Sequence, residues 1–438
     1  MLDRSNRIAH KKPIVRRLFC CRWSAGLTVA SLLVSAAAAA APILTEVAGT
    51  LQVCRLGPDA ALARAMRSRG AAEVTAAGVL PNPSLVLEHQ RAMTGPVDRE
   101  TIAGLSVPLG VSGRRSLIKD AAAARREGAD ADADATLFES ALAFREAYLT
   151  ALVDQARAEI LSEQQLALEA SSGTMEALAK SGEAAGYDLL RQRVQARLHR
   201  GSVESARARA LASRASLEAW IETEVELPNI DLAVLAHGGI SQPPSEPPSP
   251  SRRVRSLRAA SRASALEARA ARRRWVPDPD VFAGYRALDQ DGDIAHGVSL
   301  GLTIPLTFFD HGQGEAALAD AEREALEAGA ERLSRQQRAD AKAARVQLQQ
   351  LTSNIEDLGQ VRDDARELLT QAQRLYSAGE TSITEMLEAF RVAEDARLAE
   401  IDRVSEIALT RLLVMRASGS MFDPSLDQAC TRPGPRKP

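Results

Sequence analysis

The chain has 438 residues, a formal net charge of −2 and only 3% aromatic side chains, against 26% charged. A balance this close to zero gives no bulk attraction for nucleic acid or an acidic surface. So few aromatics, with Ala, Arg, Glu and Leu dominant, argue for long helices over large globular cores.

Residues 1–41 have the order of an export signal. Arg4, Arg7, Lys11, Lys12, Arg16, Arg17 and Arg22 precede an apolar run from Ala25 to Val34, and a small-residue tract from Ser35 to Ala41 follows. Cleavage is expected within Ala36–Ala41. The alternative, an N-terminal anchor, would need a longer apolar run to span a bilayer comfortably. Cys20 and Cys21 lie before the apolar run, so a lipid-anchor cysteine is not placed. Beyond the signal two cysteines remain, Cys54 and Cys430. In an oxidising compartment they can pair; otherwise they are two free thiols.

Residues 42–79 carry a modest helix, read from Gly57 to Gly78, that Leu80-Pro-Asn-Pro83 breaks. Residues 80–112 then alternate. Leu85 and Leu87 share a face, and after the turn-like Thr94–Asp98 so do Ala103, Leu105, Val107 and Leu109, which predicts a β-hairpin. Residues 113–226 read as two long helices folded back at a polar tip, Ser181-Gly-Glu-Ala184. Residues 227–251 hold Gly238, Gly239 and a run of prolines from Pro243 to Pro250, and are expected to be an irregular, partly disordered connector.

Arg252–Arg274 holds nine arginines and one acid, Glu267. A nucleic-acid patch would have aromatics interleaved and would not follow an export signal. The expected reading is a solvated helix face, with no nucleic-acid partner. If the next segment enters a membrane, Trp275 would sit at its interface.

The order of the first half then recurs. Residues 275–312 give a second β-hairpin, opened by Val276-Pro-Asp-Pro279 and with Val298, Leu300, Leu302, Ile304 and Leu306 on one face. Residues 313–420 give a second helical hairpin. From Ala344 to Leu375 its apolar residues step by three or four, the spacing of a coiled-coil seam. Its tip is Tyr376-Ser-Ala-Gly-Glu-Thr-Ser-Ile383, where Gly379 can take the left-handed conformation and Thr381 or Ser382 can cap the next helix. The tip glycines Gly182 and Gly379 are 197 residues apart, as are Asp188 and Glu385. A repeat this long is a duplicated half-protein. Residues 421–438 read as a flexible tail.

The six histidines are scattered, with no metal-ligand spacing, and neither a nucleophile–base pair nor a phosphate loop is present. No catalytic residue, metal site or cofactor is therefore assigned, and the chain is not expected to be an enzyme. Four strands of membrane length cannot close a barrel, and an open edge is not tolerated in lipid. If the strands lie in a membrane, several chains must pool them.

The duplicated β-hairpin and α-hairpin order, the Pro-Asn-Pro and Pro-Asp-Pro strand starts, and the Ser-Gly-Glu and Ala-Gly-Glu tips resemble the TolC-type outer-membrane efflux proteins, with the flavour of their CzcC-like branch. The resemblance covers residues 57–419. It implies a mainly α fold with membrane β: long coiled-coil hairpins forming a periplasmic α-barrel, and four strands per chain forming a twelve-stranded trimeric β-barrel. It also implies a homotrimer in outer-membrane lipid, a periplasmic adaptor (membrane-fusion) protein at the tips, and an inner-membrane pump of the resistance-nodulation-division (RND) type.

Carried onto this sequence, the family's tip pattern falls on Gly182, Asp188 and Leu189, and on Gly379, Glu385 and Met386, as the adaptor contact. Tyr376 stands where an aromatic helps to hold the entrance shut. Glu385 and Glu388 match acidic entrance positions; three residues apart, they share a helix face, and a threefold axis would make them a ring of carboxylates that concentrates cations. The basic residue that some members carry two positions after the second tip glycine is Thr381 here, so a latch using it is absent. The implied function is an exit duct for metal ions or drugs. The rival readings are a duct for type I protein secretion and a soluble exported coiled-coil scaffold.

Overall fold

A computed structural model of the chain describes residues 43–93, 98–181, 185–229, 250–290, 292–421 and 424–431. The proposed export signal and most of the Pro-rich connector lie outside them.

The N-terminal region is two helices, not one: α1 (Glu46–Leu56) and α2 (Pro58–Gly78). Gly57 is extended, and Pro58 occupies the first position of α2, where its missing N–H costs nothing. Strands β1 (Ser84–Arg91) and β2 (Asp98–Pro108) follow. Helix α3 (Arg114–Ser181) has 68 residues, about 100 Å if straight. It folds back into α4 (Gly186–Ile221), which ends on Glu222 in the left-handed conformation.

The second half begins with α5 (Arg252–Arg272), capped by the Ser251 hydroxyl, and a short 3₁₀ turn through Trp275. Strands β3 (Asp280–Gln290) and β4 (Asp293–Thr303) come next. The first arm of the second helical hairpin is broken into α6 (Gln313–Ser353) and α7 (Ile355–Ser377), because Asn354 leaves helical geometry at φ −108°, ψ 6°. The stepwise apolar pattern runs straight through this break, since side-chain spacing does not register one residue's backbone. Helix α8 (Ile383–Ser418) forms the return arm and ends on Gly419.

Most arginines of the Arg-rich segment lie on an exposed face, and the segment's other face is packed. Helix α5 lies between α3 and α6 and buries a row of small residues, among them Ser256, Ala259, Ala263, Ala268 and Ala271. Small side chains let the three helices approach closely, while the arginines reach sideways to acids on both neighbours. Arg253 pairs with Asp132 and Arg262 with Glu127 on α3; Arg272 pairs with Asp320 on α6. Exposed pairs of this kind each contribute little, about 0–1 kcal/mol.

The tail corrects an expectation. Pro424–Thr431 is a helix, α9, with Leu426 and Cys430 buried. Cys430 is bonded to Cys54 of α1, with the Cα atoms 5.1 Å apart. Arg252, at the start of α5, holds the same corner. It donates to the Gly419 carbonyl (2.6 Å), pairs with Asp427 (3.2 Å) and lies over the Phe138 ring at 4.4 Å. Around these contacts Phe138, Leu142, Leu412, Met415 and Met421 form one buried cluster.

The four strands form one antiparallel sheet in the order β1-β2-β3-β4. The two half-proteins therefore meet where β2 pairs with β3, from Asp98–Gln290 to Pro108–Asp280. Both outer strands have one paired edge and one open edge within the chain.

Candidate functional site

The register aligns side chains into rows across the sheet. Leu85, Leu105, Ala283 and Leu300 are one row; Leu87, Ala103, Tyr285 and Val298 are the next. All alternate residues on this face share it because the side-chain period of a strand is two. Most are widely exposed: Leu87 is 71% and Leu300 78% accessible. At the sheet's foot, Trp275, Phe308 and Phe309 are also exposed, a cluster of the type that sits at a membrane interface.

The opposite face is small or polar. Its rows are Ser84, Ser106, Phe282 and Gly301, then Val86, Gly104, Gly284 and Ser299, then Glu88, Ile102, Arg286 and Gly297. Arg286 pairs with Glu100 there at 2.6 Å. The Phe282 ring lies across the glycine row. A Cβ at Gly104 would meet the Gly284 Cα at 2.4 Å and the Phe282 ring at 2.7 Å, and one at Gly284 would meet that ring at 2.6 Å.

The far ends of the helical hairpins carry the predicted tip residues. Gly182 lies outside the described residues. The first tip resumes with α4, where Asp188 is half-buried in the first turn and Leu189 packs partly into a cluster of Leu168, Met175, Ile383, Met386 and Phe390.

In the second tip, Gly379 ends α7 at φ +75°. Its N–H donates to Tyr376 O and that of Glu380 to Leu375 O, the Schellman pattern. Nothing lies within 4 Å of a Cβ placed on Gly379, so the demand is for conformation, not room. Ser382 then starts α8 with a capping box. Its hydroxyl accepts from the Glu385 N–H (3.3 Å), and the Glu385 carboxylate accepts from the Ser382 N–H (3.1 Å). The Thr381 hydroxyl donates to the same carboxylate. That bond, with the Ser382 backbone, holds the Glu385 carboxyl below its usual range.

These contacts revise the roles carried over from the family pattern. Met386 is 2% exposed and belongs to the cluster between the hairpins, so it cannot itself be an adaptor contact in this conformation. Burying such a side chain contributes about 1.5–3 kcal/mol. Glu385 is committed to the helix cap, which leaves Glu388 as the freer carboxylate; it is exposed and pairs with Arg391 at 3.6 Å. Tyr376 is partly buried against the same cluster and its hydroxyl points to the Met175 sulfur. Burial, and then the negative charge of Asp188, push its phenol up. Tyr376 thus faces the first hairpin, as does Thr384, whose hydroxyl accepts from Arg191 at 2.7 Å.

Two tethers had no sequence signal. Arg252 is one charge among nine in its segment, and nothing local marks it as the one at a corner. His199 stands alone on α4, yet it is buried and lies 3.4 Å from Glu394 on α8.

Among the described residues no group of three or more His, Cys, Asp and Glu could hold a metal ion, and no helix is long and apolar enough to cross a membrane.

Residues 249–420 match the family model described as outer membrane efflux protein. No curated protein matches the sequence. Solved structures do match in fold. A CusC structure described for transmembrane channel formation superposes with a TM-score of 0.72 at 16% identity, covering 89% of this chain and 96% of that one. The Campylobacter jejuni outer membrane channel CmeC gives 0.67 at 14%, covering 87% of each chain. The Vibrio cholerae outer membrane protein VceC gives 0.66 at 16%, covering 86% of this chain and 96% of that one.

Proposed function

We propose that the chain is a TolC-type outer-membrane efflux protein and the exit duct of a tripartite efflux system, a reading supported by the match of residues 249–420 to the outer membrane efflux protein family and by the fold. It passively conducts metal ions or drugs that an inner-membrane pump delivers through a periplasmic adaptor. The observation that carries this reading is the sheet. It has one apolar, exposed face, one small or polar face and two open edges, and it is attached to two long helical hairpins.

The physical sequence is short. In lipid every backbone N–H and C=O needs a partner, so β1 and β4 must pair with strands of neighbouring chains. Three copies supply a twelve-stranded barrel, with Leu85, Leu87, Val298 and Leu300 toward lipid and the serine and glycine rows toward a water-filled pore. Trp275 then sits at the membrane interface. The helical hairpins extend into the periplasm, and their tips gather at the far end.

There Asp188, Glu388 and the turn shaped by Gly379 face the adaptor, with the outer faces of both tips available to it. The duct does no chemistry and uses no cofactor; its selectivity is that of the pump behind it, modulated by the charge at the entrance. The CzcC-like flavour of the strand starts and tips places metal ions beside drugs as candidate cargo.

The test is direct. Full-length protein extracted from outer membranes should run as a trimer and form pores in planar bilayers, and its deletion should raise sensitivity to a drug or metal. Recovery in a periplasmic wash as a soluble protein, with no pore activity, would overturn the reading.

A further inference from the structure

His199 on α4 is 6% exposed, beside the buried residues Leu161, Val203 and Ala206. Its Nε2 lies 3.0 Å from the carbonyl oxygen of Leu161 on α3, and its Nδ1 lies 3.4 Å from Oε2 of Glu394 on α8. One ring therefore touches two further helices.

The chemistry of the two contacts is restrictive. A carbonyl oxygen only accepts, and so does an ionised carboxylate; a neutral imidazole has a single N–H. Whichever nitrogen carries that hydrogen, the other would turn a lone pair toward an acceptor. Both contacts are satisfied in only two ways. Either the ring carries two protons beside the carboxylate, or the Glu394 carboxyl carries the second proton and donates to Nδ1. In either form the two residues hold one proton between them. Burial pushes the Glu394 carboxyl up, against the pull of His199 and together with the push of neighbouring Asp395, which favours keeping that proton. Among the charges nearby, Glu163 of α3 pairs with Arg397 of α8 and Glu169 of α3 with Arg200 of α4.

The position matters as much as the chemistry. The pair joins the first helical hairpin to the second, at a level above the tip link between Arg191 and Thr384. Three ion pairs also join α3 to α8: Arg157–Asp402, Glu163–Arg397 and Arg416–Glu139.

We propose that His199 and Glu394 share a proton that helps to latch the two hairpins together, and that losing it as pH rises loosens the hold of the first hairpin on α8 at this level. This rests on the reading of the tips as the duct entrance. The sign follows from the contacts. While the proton is held, all three partners are satisfied. Once it leaves, a half-buried carboxylate and a neutral ring remain with one N–H for two acceptors. The latch is closed on the acid side and released on the alkaline side.

The test uses full-length trimer in planar bilayers, with pH stepped from the acid to the alkaline side. Open-channel current of the native protein should rise by at least about threefold from the acid to the alkaline side. In H199Q, whose amide can still donate to the Leu161 carbonyl, and in E394Q, the current should change by less than about 1.5-fold. A native profile without pH response, or one that survives in both variants, overturns the latch. Hydrogen exchange around residues 199 and 394 gives an independent reading. Protection should fall with rising pH in the native trimer and stay flat in the variants, and a flat native profile also overturns the proposal. A trimer that forms no pore at any pH counts against the duct reading, and the exchange data alone then decide the latch.

Discussion

Cys54 on α1 and Cys430 on the tail helix α9 are bonded to each other across 376 residues of sequence. The bond joins the two ends of the described chain at the cluster that also holds Phe138, Met415 and Met421. Closing so long a loop restricts the unfolded chain, an effect of about 2–5 kcal/mol for a native disulfide. The double variant C54S/C430S should therefore unfold at a clearly lower temperature than the oxidised protein, and adding reductant should shift the native protein toward the variant. Equal unfolding temperatures with and without reductant would show that the bond does not form in solution.

Gly379 is needed for its backbone angle. At φ +75° a β-branched side chain costs about 1–2 kcal/mol, whereas asparagine tolerates this conformation. Gly379→Val should lower efflux without lowering trimer yield, and Gly379→Asn should retain most of the native activity. Growth at graded drug or metal concentrations reads the outcome; equal resistance for native and Val variants would count against a role for this turn.

Ser382 and Glu385 cap α8 reciprocally. Ser382→Ala should destabilise the start of α8 by about 1 kcal/mol, seen as faster hydrogen exchange over the residues that follow. The same cap predicts an acid dependence. The Glu385 carboxyl is held below its usual range in the folded protein, so its contribution is fully present above the unfolded value near ~4.3 and fades as pH falls through the folded one. Exchange at this helix end should quicken only on the acid side of that range. Quickening at neutral pH would point to another group.

The Gly104–Gly284 pair closes the seam between the two half-proteins under the Phe282 ring. Gly104→Val would place side-chain atoms into the β3 backbone and should abolish assembly of the proposed trimer. Gly297→Val, on the same face with open space around it, should leave it intact. Electrophoresis with and without heating distinguishes the two, and equal behaviour would show that the close approach is not required.

Much of this protein was legible from residue spacing. The period-two runs in 84–109 and 281–306 marked the four strands, the steps of three and four from Ala344 to Leu375 marked a seam, and the recurrence over 197 residues marked a duplication. These signals are local, because a strand or helix repeats its own geometry along the chain. For the same reason Gly379 and Ser382 could be placed as stop and start of adjacent helices before any contact was known.

The contacts between helices were not legible. Spacing says that a helix has an apolar face but not which partner meets it, nor at what height. Only the packed structure puts Met386 inside the cluster between the hairpins, takes Glu385 as a cap, and sets Tyr376 against Met175. The break at Asn354 and the corner held by Arg252 also depend on neighbours distant in sequence. So does the meeting of His199 with Leu161 and Glu394, 38 and 195 residues away along the chain. The sequence by itself determined which elements form and that they come twice. The tertiary structure decided which side chains are buried, paired or left to act, because burial and pairing are properties of how helices cross and not of any one helix.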